Sequence, residues 1–239
     1  MRLARSHTTL VLAMSADGKI ADAQRSPARF GAQADQQHLE TQIAQADAVL
    51  MGGATLRAYG STLTVRQPQL LQQRHQRGQP EQPIQIICSA SGQLPSDCRF
   101  FSQPVPRWLL TTPTGAERWQ NQDQFEQIWP QILPNHNVQR HAESSRSNSI
   151  DWRSLLQIWR SHPIQRLAVL GGGQLAASLF EQDCLDELWL TICPLLIGGA
   201  TAPTPLEGTG FLALTAPRLK LLELQQNGQE VFLHYAVQD

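Results

Sequence analysis

Two strings in this sequence place glycines where an apolar run gives way to a helical pattern: Met51-Gly52-Gly53-Ala54-Thr55 and Leu170-Gly171-Gly172-Gly173-Gln174. Glycine lets a backbone approach a phosphate closely and take a positive φ. The start of the following helix adds free N–H groups and partial positive charge. Two such junctions suit the two halves of a dinucleotide. A lone Gly-Gly also serves as a tight turn, but three glycines in succession ask for a further reason. The sequence carries neither of the usual phosphate grips: Gly208-Thr209-Gly210 runs into Phe-Leu-Ala, and no Gly-Lys-Ser or Gly-Lys-Thr occurs. The seven histidines form no His-Glu-x-x-His, no Cys-x-x-Cys is present, and Gly-x-Ser-x-Gly is missing. Those absences exclude the simplest zinc-peptidase, zinc-deaminase and serine-hydrolase readings. His141-Ala142-Glu143 reads as a strand surface. Cys88, Cys98, Cys184 and Cys193 read as buried thiols, since three of them border apolar runs.

The elements that must hold these junctions follow from periodicity. TTLVLAMS (residues 8–15) is a continuous β-branched and apolar run, which marks a central strand covered on both faces. Asp35 is placed to cap a helix in which Leu39 and Ile43 recur four residues apart. Further strands are expected at 48–51, 84–88, 107–112, 137–142, 165–170 and 186–193, and helices at 54–59, 151–162 and 174–182. Thr114 with Glu117 has the spacing of a capping box. The apolar runs on either side of Asn227-Gly228 predict a hairpin. Strand and helix thus alternate until an antiparallel pair closes the chain. That order predicts an α/β fold with a mixed, mostly parallel central sheet, helices on both faces and a C-terminal antiparallel hairpin.

Composition narrows the partners. With 41% hydrophobic and 16% charged residues, the chain has enough apolar surface to form a core. A net charge of -1 gives no field for a nucleic-acid backbone or an anionic membrane, so a small-molecule ligand is expected. No apolar run is long enough to span a membrane, and the opening segment lacks the order of a signal peptide, so a cytoplasmic location is expected. The Gln- and Pro-rich stretches at 67–83 and 120–148 are broken by apolar residues and do not read as linkers. Residues 1–239 are therefore expected to form a single domain.

Taken in order, TTLVLAMSADGKIA, ADAVLMGGATLRAYGSTLTVR and LAVLGGGQLAASLFEQDCLDELWLTICPLLIGG resemble the reductase domain of bacterial riboflavin biosynthesis, within the dihydrofolate-reductase-like superfamily. The match spans nearly the whole chain. It implies a dihydrofolate-reductase-like three-layer fold, a homodimer, and NADPH delivering hydride to a ribosylamino-pyrimidine phosphate. It further implies that Gly52, Gly53 and Thr55 meet the cofactor phosphates, that Ser89 lies near the adenosine 2′-phosphate, and that Gly171, Gly172, Gly173, Gln174 and Leu175 cradle the pyrophosphate. By the same resemblance Ser15 and Arg66 fall on the substrate side, and Asp17 and Tyr59 are the nearest proton sources. On the residues alone, Asp17-Gly18 also reads as a turn and Arg66 as a solvated loop charge. Neither a metal nor a deaminase domain is expected.

Three positions depart from the pattern. Relatives active on the riboflavin precursor carry a lysine in the first strand, an acid ahead of the Leu-Thr-x-Arg segment and a glutamate before the glycine run; here these positions hold Val11, Tyr59 and Leu170. Three missing charges remove hydrogen bonds worth about 1.5 to 3 kcal/mol each, so the usual substrate is expected to turn over weakly. A second reading is therefore a catalytically silent nucleotide-binding module of the same fold. A third is dihydrofolate reductase itself with Asp35 as its acid, which the Leu-Thr-Val-Arg and Pro-Leu-Leu-Ile-Gly-Gly segments fit less well.

Overall fold

The computed structural model describes residues 4–27, 29–134 and 148–238. Along the chain run β1 (His7–Ser15), α1 (Gln33–Gln45), β2 (Ala48–Gly52), α2 (Gly53–Tyr59), α3 (Pro68–Gln76), β3 (Ile84–Cys88), β4 (Arg107–Leu110), α4 (Pro113–Glu117), β5 (Gln127–Trp129), β6 (Ile132–Pro134), β7 (Asn148–Ile150), α5 (Trp152–Ser161), β8 (Arg166–Val169), α6 (Gly173–Phe180), β9 (Glu187–Cys193), β10 (Arg218–Asn227) and β11 (Glu230–Gln238). Nine strands form one sheet in the order β10-β11-β9-β1-β8-β2-β3-β4-β5, and β6 pairs with β7 apart from it. Every pairing from β9 to β5 is parallel, while β11 runs antiparallel to both β9 and β10. The continuous apolar run of β1 is thus central, between β8 and β9.

Alternation along the strands divides the core into layers. Leu10, Leu12, Leu50, Ile86 and Val169 meet the inner stripes of α5 and α6. On the opposite face Val49 and Ala168 meet Ile43 and Ala44 of α1 and Leu70 of α3. Among the described residues, no helix is long and apolar enough to cross a membrane.

Several local expectations are corrected. Helix α1 is capped by Ala32, and Asp35 lies inside its first turn. Helix α4 is capped by Thr112, whose hydroxyl accepts from the Gly115 N–H at 3.0 Å, so the Thr114–Glu117 box does not form. Pro113 explains the difference: its preset φ and missing N–H suit the first helical position, which makes Thr112 the cap and ends β4 at Leu110. The expected strand at 137–142 and the His141-Ala142-Glu143 surface lie outside the described residues. The cysteines are free; Cys184 and Cys193 are buried, but Cys88 and Cys98 only partly so. Burial pushes the Cys88 and Cys193 thiols up to about 12.

The Gln-rich stretch also conceals a helix. Pro68 opens α3, which turns Leu70 and Arg74 inward. Arg74 is 1% exposed and donates to the carbonyls of Ala44 at 3.0 Å, Ala46 at 2.7 Å and Pro80 at 2.8 Å, so its guanidinium closes the C-terminal end of α1. Arg74→Met keeps the stem but strands the Ala46 and Pro80 carbonyls at about 1 to 3 kcal/mol each, while Arg77 Nη2 still donates to the Ala44 carbonyl at 2.6 Å. A fall in Tm of roughly 6 to 12 °C is expected in a thermal denaturation scan. A fall below about 3 °C would show that water replaces the guanidinium.

Candidate active site

Strands β2, β3 and β8 are parallel and deliver their C-terminal ends to one edge of the sheet. Register sets Gly52 opposite Cys88, so the turn into α2 meets the residue that follows β3. A Cβ on Gly53 would stand 2.9 Å from Ser89 Cβ and 3.0 Å from Ser89 Oγ, so only glycine lets these two loops close on each other. From the next strand, Gly171 and Gly172 hold φ of +102° and +100°. A Cβ on Gly172 would lie 3.9 Å from Thr55 Oγ1 and 3.6 Å from Leu175 Cβ. The fold therefore brings Gly52, Gly53, Thr55, Ser89 and Gly171–Gly173 to one trough.

Helix α6 starts at this trough, and its first N–H groups lack partners within the helix. Gln174 is exposed there, whereas Leu175 turns its side chain into the core and offers a ligand only its backbone. A Cβ on Gly173 would strike the Thr204 carbonyl at 2.5 Å and Glu207 Cγ at 2.7 Å, which places the 204–207 loop against the helix start. The Glu207 carboxylate is paired there with Arg25 at 2.7 Å. A trough of backbone donors without Cβ atoms, with one hydroxyl beside it, fits a pyrophosphate.

On the substrate side, Ser15 ends β1 and donates to Asp17 Oδ1 at 2.6 Å. Asp17 also accepts from the amides of Ile197 at 3.0 Å and Gly198 at 2.6 Å. The Ser15 hydroxyl, followed by these two amides, brings the Asp17 carboxyl down to about 2. Through these bonds Asp17 ties the 194–199 loop to the end of β1. Ile20 N–H extends the same zipper to the Pro203 carbonyl at 3.0 Å. Tyr59 ends α2 and is 37% exposed. Arg66 is exposed; its amide donates to Glu40 Oε1 of α1 at 2.6 Å and its Nε to Thr64 Oγ1 at 3.2 Å.

Val11 is buried on the face covered by α1, beside a cleft of about 240 Å³ bounded by Gln42, Ala168, Trp189 and His234. Leu170 packs on the cluster of Val49, Val65 and Ala168. Negative charge gathers elsewhere. The first turn of α1 lies over β9 and β11, where Asp35 takes the Thr191 hydroxyl and Glu230 accepts the Ala32 N–H at 2.6 Å. Burial and then the Glu230 charge push the Asp35 carboxyl up, against the Thr191 bond that lowers it. Sequence reasoning singled out Asp35 but missed Glu230, because only strand pairing brings the two together.

This arrangement, a mostly parallel sheet with an antiparallel C-terminal hairpin and a glycine trough across its strand ends, defines a dihydrofolate-reductase-like fold. The chain belongs to the RibD C-terminal domain family, whose model matches residues 6–233. Among similar proteins, the 2,5-diamino-6-ribosylamino-4(3H)-pyrimidinone 5′-phosphate reductase of Archaeoglobus fulgidus is 26% identical over 210 residues, covering 87% of this chain and 89% of its own length. The riboflavin biosynthesis protein RibD of Actinobacillus pleuropneumoniae is 26% identical over 98% of this chain, which spans 57% of that longer protein.

Solved structures agree on the fold. A pyrimidine reductase-like protein of Corynebacterium diphtheriae has a TM-score of 0.74 at 18% identity, covering 98% of this chain and 92% of its own. The diaminohydroxyphosphoribosylaminopyrimidine deaminase/5-amino-6-(5-phosphoribosylamino)uracil reductase of Thermotoga maritima reaches 0.71 at 16% identity, covering 98% and 57%. A dihydrofolate reductase of Enterococcus faecalis complexed with NADP(H) reaches 0.51 at 10% identity, covering 98% and 97%.

Proposed function

We propose that this chain is an NADPH-dependent oxidoreductase that reduces a ribosylamino-pyrimidine phosphate of riboflavin biosynthesis. The observation that carries the reading is the trough at Gly171-Gly172, whose backbone holds positive φ values and sets the start of α6 beside Thr55. When bound, the nicotinamide supplies the hydride. Gly171, Gly172 and Gly173, with the N–H groups of Gln174 and Leu175, hold the pyrophosphate, Thr55 adds a hydroxyl donor, and Ser89 lies at the adenosine end. Ser15 and Asp17 order the loop that closes the substrate side, while Arg66 and Tyr59 offer it a charge and a phenol. The acting form is a homodimer. Edge strand β10 supports this, since it exposes Leu219, Leu221, Leu222 and Leu224 beside an unpaired backbone edge.

Apolar packing at Val11 and Leu170 favours, as a second reading, the silent nucleotide-binding module. Absorbance at 340 nm with NADPH and the ribosylamino-pyrimidine phosphate separates the two. Turnover is expected with kcat/KM below about 10⁴ M⁻¹s⁻¹ because the three charges are missing. NADPH binding without turnover of any pyrimidine selects the silent module, and no NADPH binding at millimolar concentration overturns both.

A further inference from the structure

The geometry points to Arg25 and Glu207 as a counter-ion exchange at the cofactor trough: Glu207 holds the Arg25 guanidinium beside the start of α6 until the dinucleotide arrives, and Arg25 then passes to its pyrophosphate. This rests on the nicotinamide-cofactor reading above. Glu207 lies across the first residue of α6. Its amide donates to the Gly173 carbonyl at 3.1 Å, and its Cγ and Cδ stand 2.7 and 3.3 Å from where a Gly173 Cβ would be. Its Oε1 accepts from Arg25 Nη2 at 2.7 Å. Guanidinium, carboxylate and the first amides of α6 therefore follow one another at the rim of the trough.

The segment from Lys19 to Arg25 is built to deliver that side chain. Lys19 Nζ donates to the Ala202 carbonyl at 3.3 Å and the Ile20 amide to the Pro203 carbonyl at 3.0 Å, which lays the segment along the 202–207 loop. Asp22 then closes a turn: its carbonyl accepts from the Arg25 amide at 2.9 Å and its Oδ1 from the Ser26 amide at 2.9 Å. Inside that turn Arg25 holds φ +57°, a left-handed conformation that glycine or asparagine takes more readily. The turn fixes the backbone and leaves the side chain room to swing. The Arg25 side chain is 58% exposed, against 18% for that of Glu207.

The balance of interactions favours the exchange. An ion pair with so exposed a partner is screened by water, so parting it costs little. A pyrophosphate carries more charge than one carboxylate and offers the guanidinium fork two parallel N–H···O bonds. Glu207 cannot follow, since its amide and stem are held on Gly173, and it is left as a negative charge beside the bound phosphates. A second carboxylate adds to it: Glu181 Oε1 lies 3.4 Å from where a Gly208 Cβ would be. Arg25 therefore draws the cofactor in and Glu207 opposes it. Opposite signs set this pair apart from a loop brace, in which both partners would help.

The test is calorimetric titration of the full chain with NADPH. Arg25→Gln is expected to weaken binding about tenfold and Glu207→Gln to tighten it about threefold. Arg25→Lys, which keeps the charge without the fork, is expected to lose about threefold. A double-mutant cycle gives the sharper measurement: with Glu207→Gln in place, Arg25→Gln should still cost about tenfold, because the arginine serves the phosphates and not the carboxylate. Thermal scans should find the variants folded, with Tm within about 3 °C of wild type. Weaker binding in both single Gln variants, or no further loss from Arg25→Gln once Glu207 is replaced, would show a loop brace and overturn the proposal. An unchanged Kd in Arg25→Gln would overturn it too, while leaving the cofactor reading intact. Absence of NADPH binding by the wild-type chain at millimolar concentration overturns that reading and this proposal together.

Discussion

Replacing Gly172 by valine is expected to weaken NADPH binding at least about a hundredfold while leaving the protein folded. Room is not the obstacle, since a Cβ would meet Leu175 and Thr55 only at ordinary contact distances of 3.6 and 3.9 Å. Backbone conformation is. At φ +100° and ψ 104° a β-branched residue is strained by about 1 to 3 kcal/mol, and relief requires rotating the peptides that aim the start of α6 into the trough. The isopropyl group also stands where a phosphate must approach. Gly78→Val is the matched control. It carries φ +68° beyond the end of α3, with nothing within 4 Å of its would-be Cβ, so it pays a similar strain away from the trough. Calorimetry should find comparable losses of Tm in the two variants but an unchanged Kd for the control. An unaltered Kd in folded Gly172→Val would place the cofactor elsewhere.

Asp17→Ala is expected to lower kcat/KM about a hundredfold with NADPH affinity changed only a few-fold. The carboxylate collects Ser15, Ile197 and Gly198 onto one residue, and a loop misplaced by about an ångström at a reacting centre loses that much rate. Asp17→Asn should lose nearly as much, because its NH₂ faces backbone N–H donors. The pH dependence carries a definite sign. A carboxyl lowered to about 2 contributes order that is fully present above the ordinary carboxylate range, near 4, and is lost as pH falls toward 2. Wild-type activity that changes between pH 5 and 8 therefore reports another group. An Asp17→Ala enzyme with wild-type kcat/KM would show that the loop is ordered without it.

Local chemistry made part of this molecule legible in advance. The unbroken apolar run of β1 specifies a strand buried on both faces, Asn227-Gly228 specifies the last hairpin, and the glycines after β2 and β8 specify where a backbone must approach something closely. Each is a property of neighbours along the chain. The cap of α4 was equally local but misjudged, because Pro113 outranks the spacing of Thr114 and Glu117. Helix α3 was obscured by its glutamines, since only Leu70 and Arg74 turn inward and their burial depends on α1 lying above them.

What the tertiary structure alone decided lies across the sheet. Inserting β9 between β1 and β11 sets Thr191 beside Ala13 and carries Cys193 and Glu230 to the first turn of α1, where Asp35 waits. It likewise brings the Ile197 and Gly198 amides to the Asp17 carboxylate. Periodicity reports which face of an element is apolar, but strand order and register are settled by the joint packing of elements distant in sequence, so no spacing along the chain encodes which charges end as neighbours.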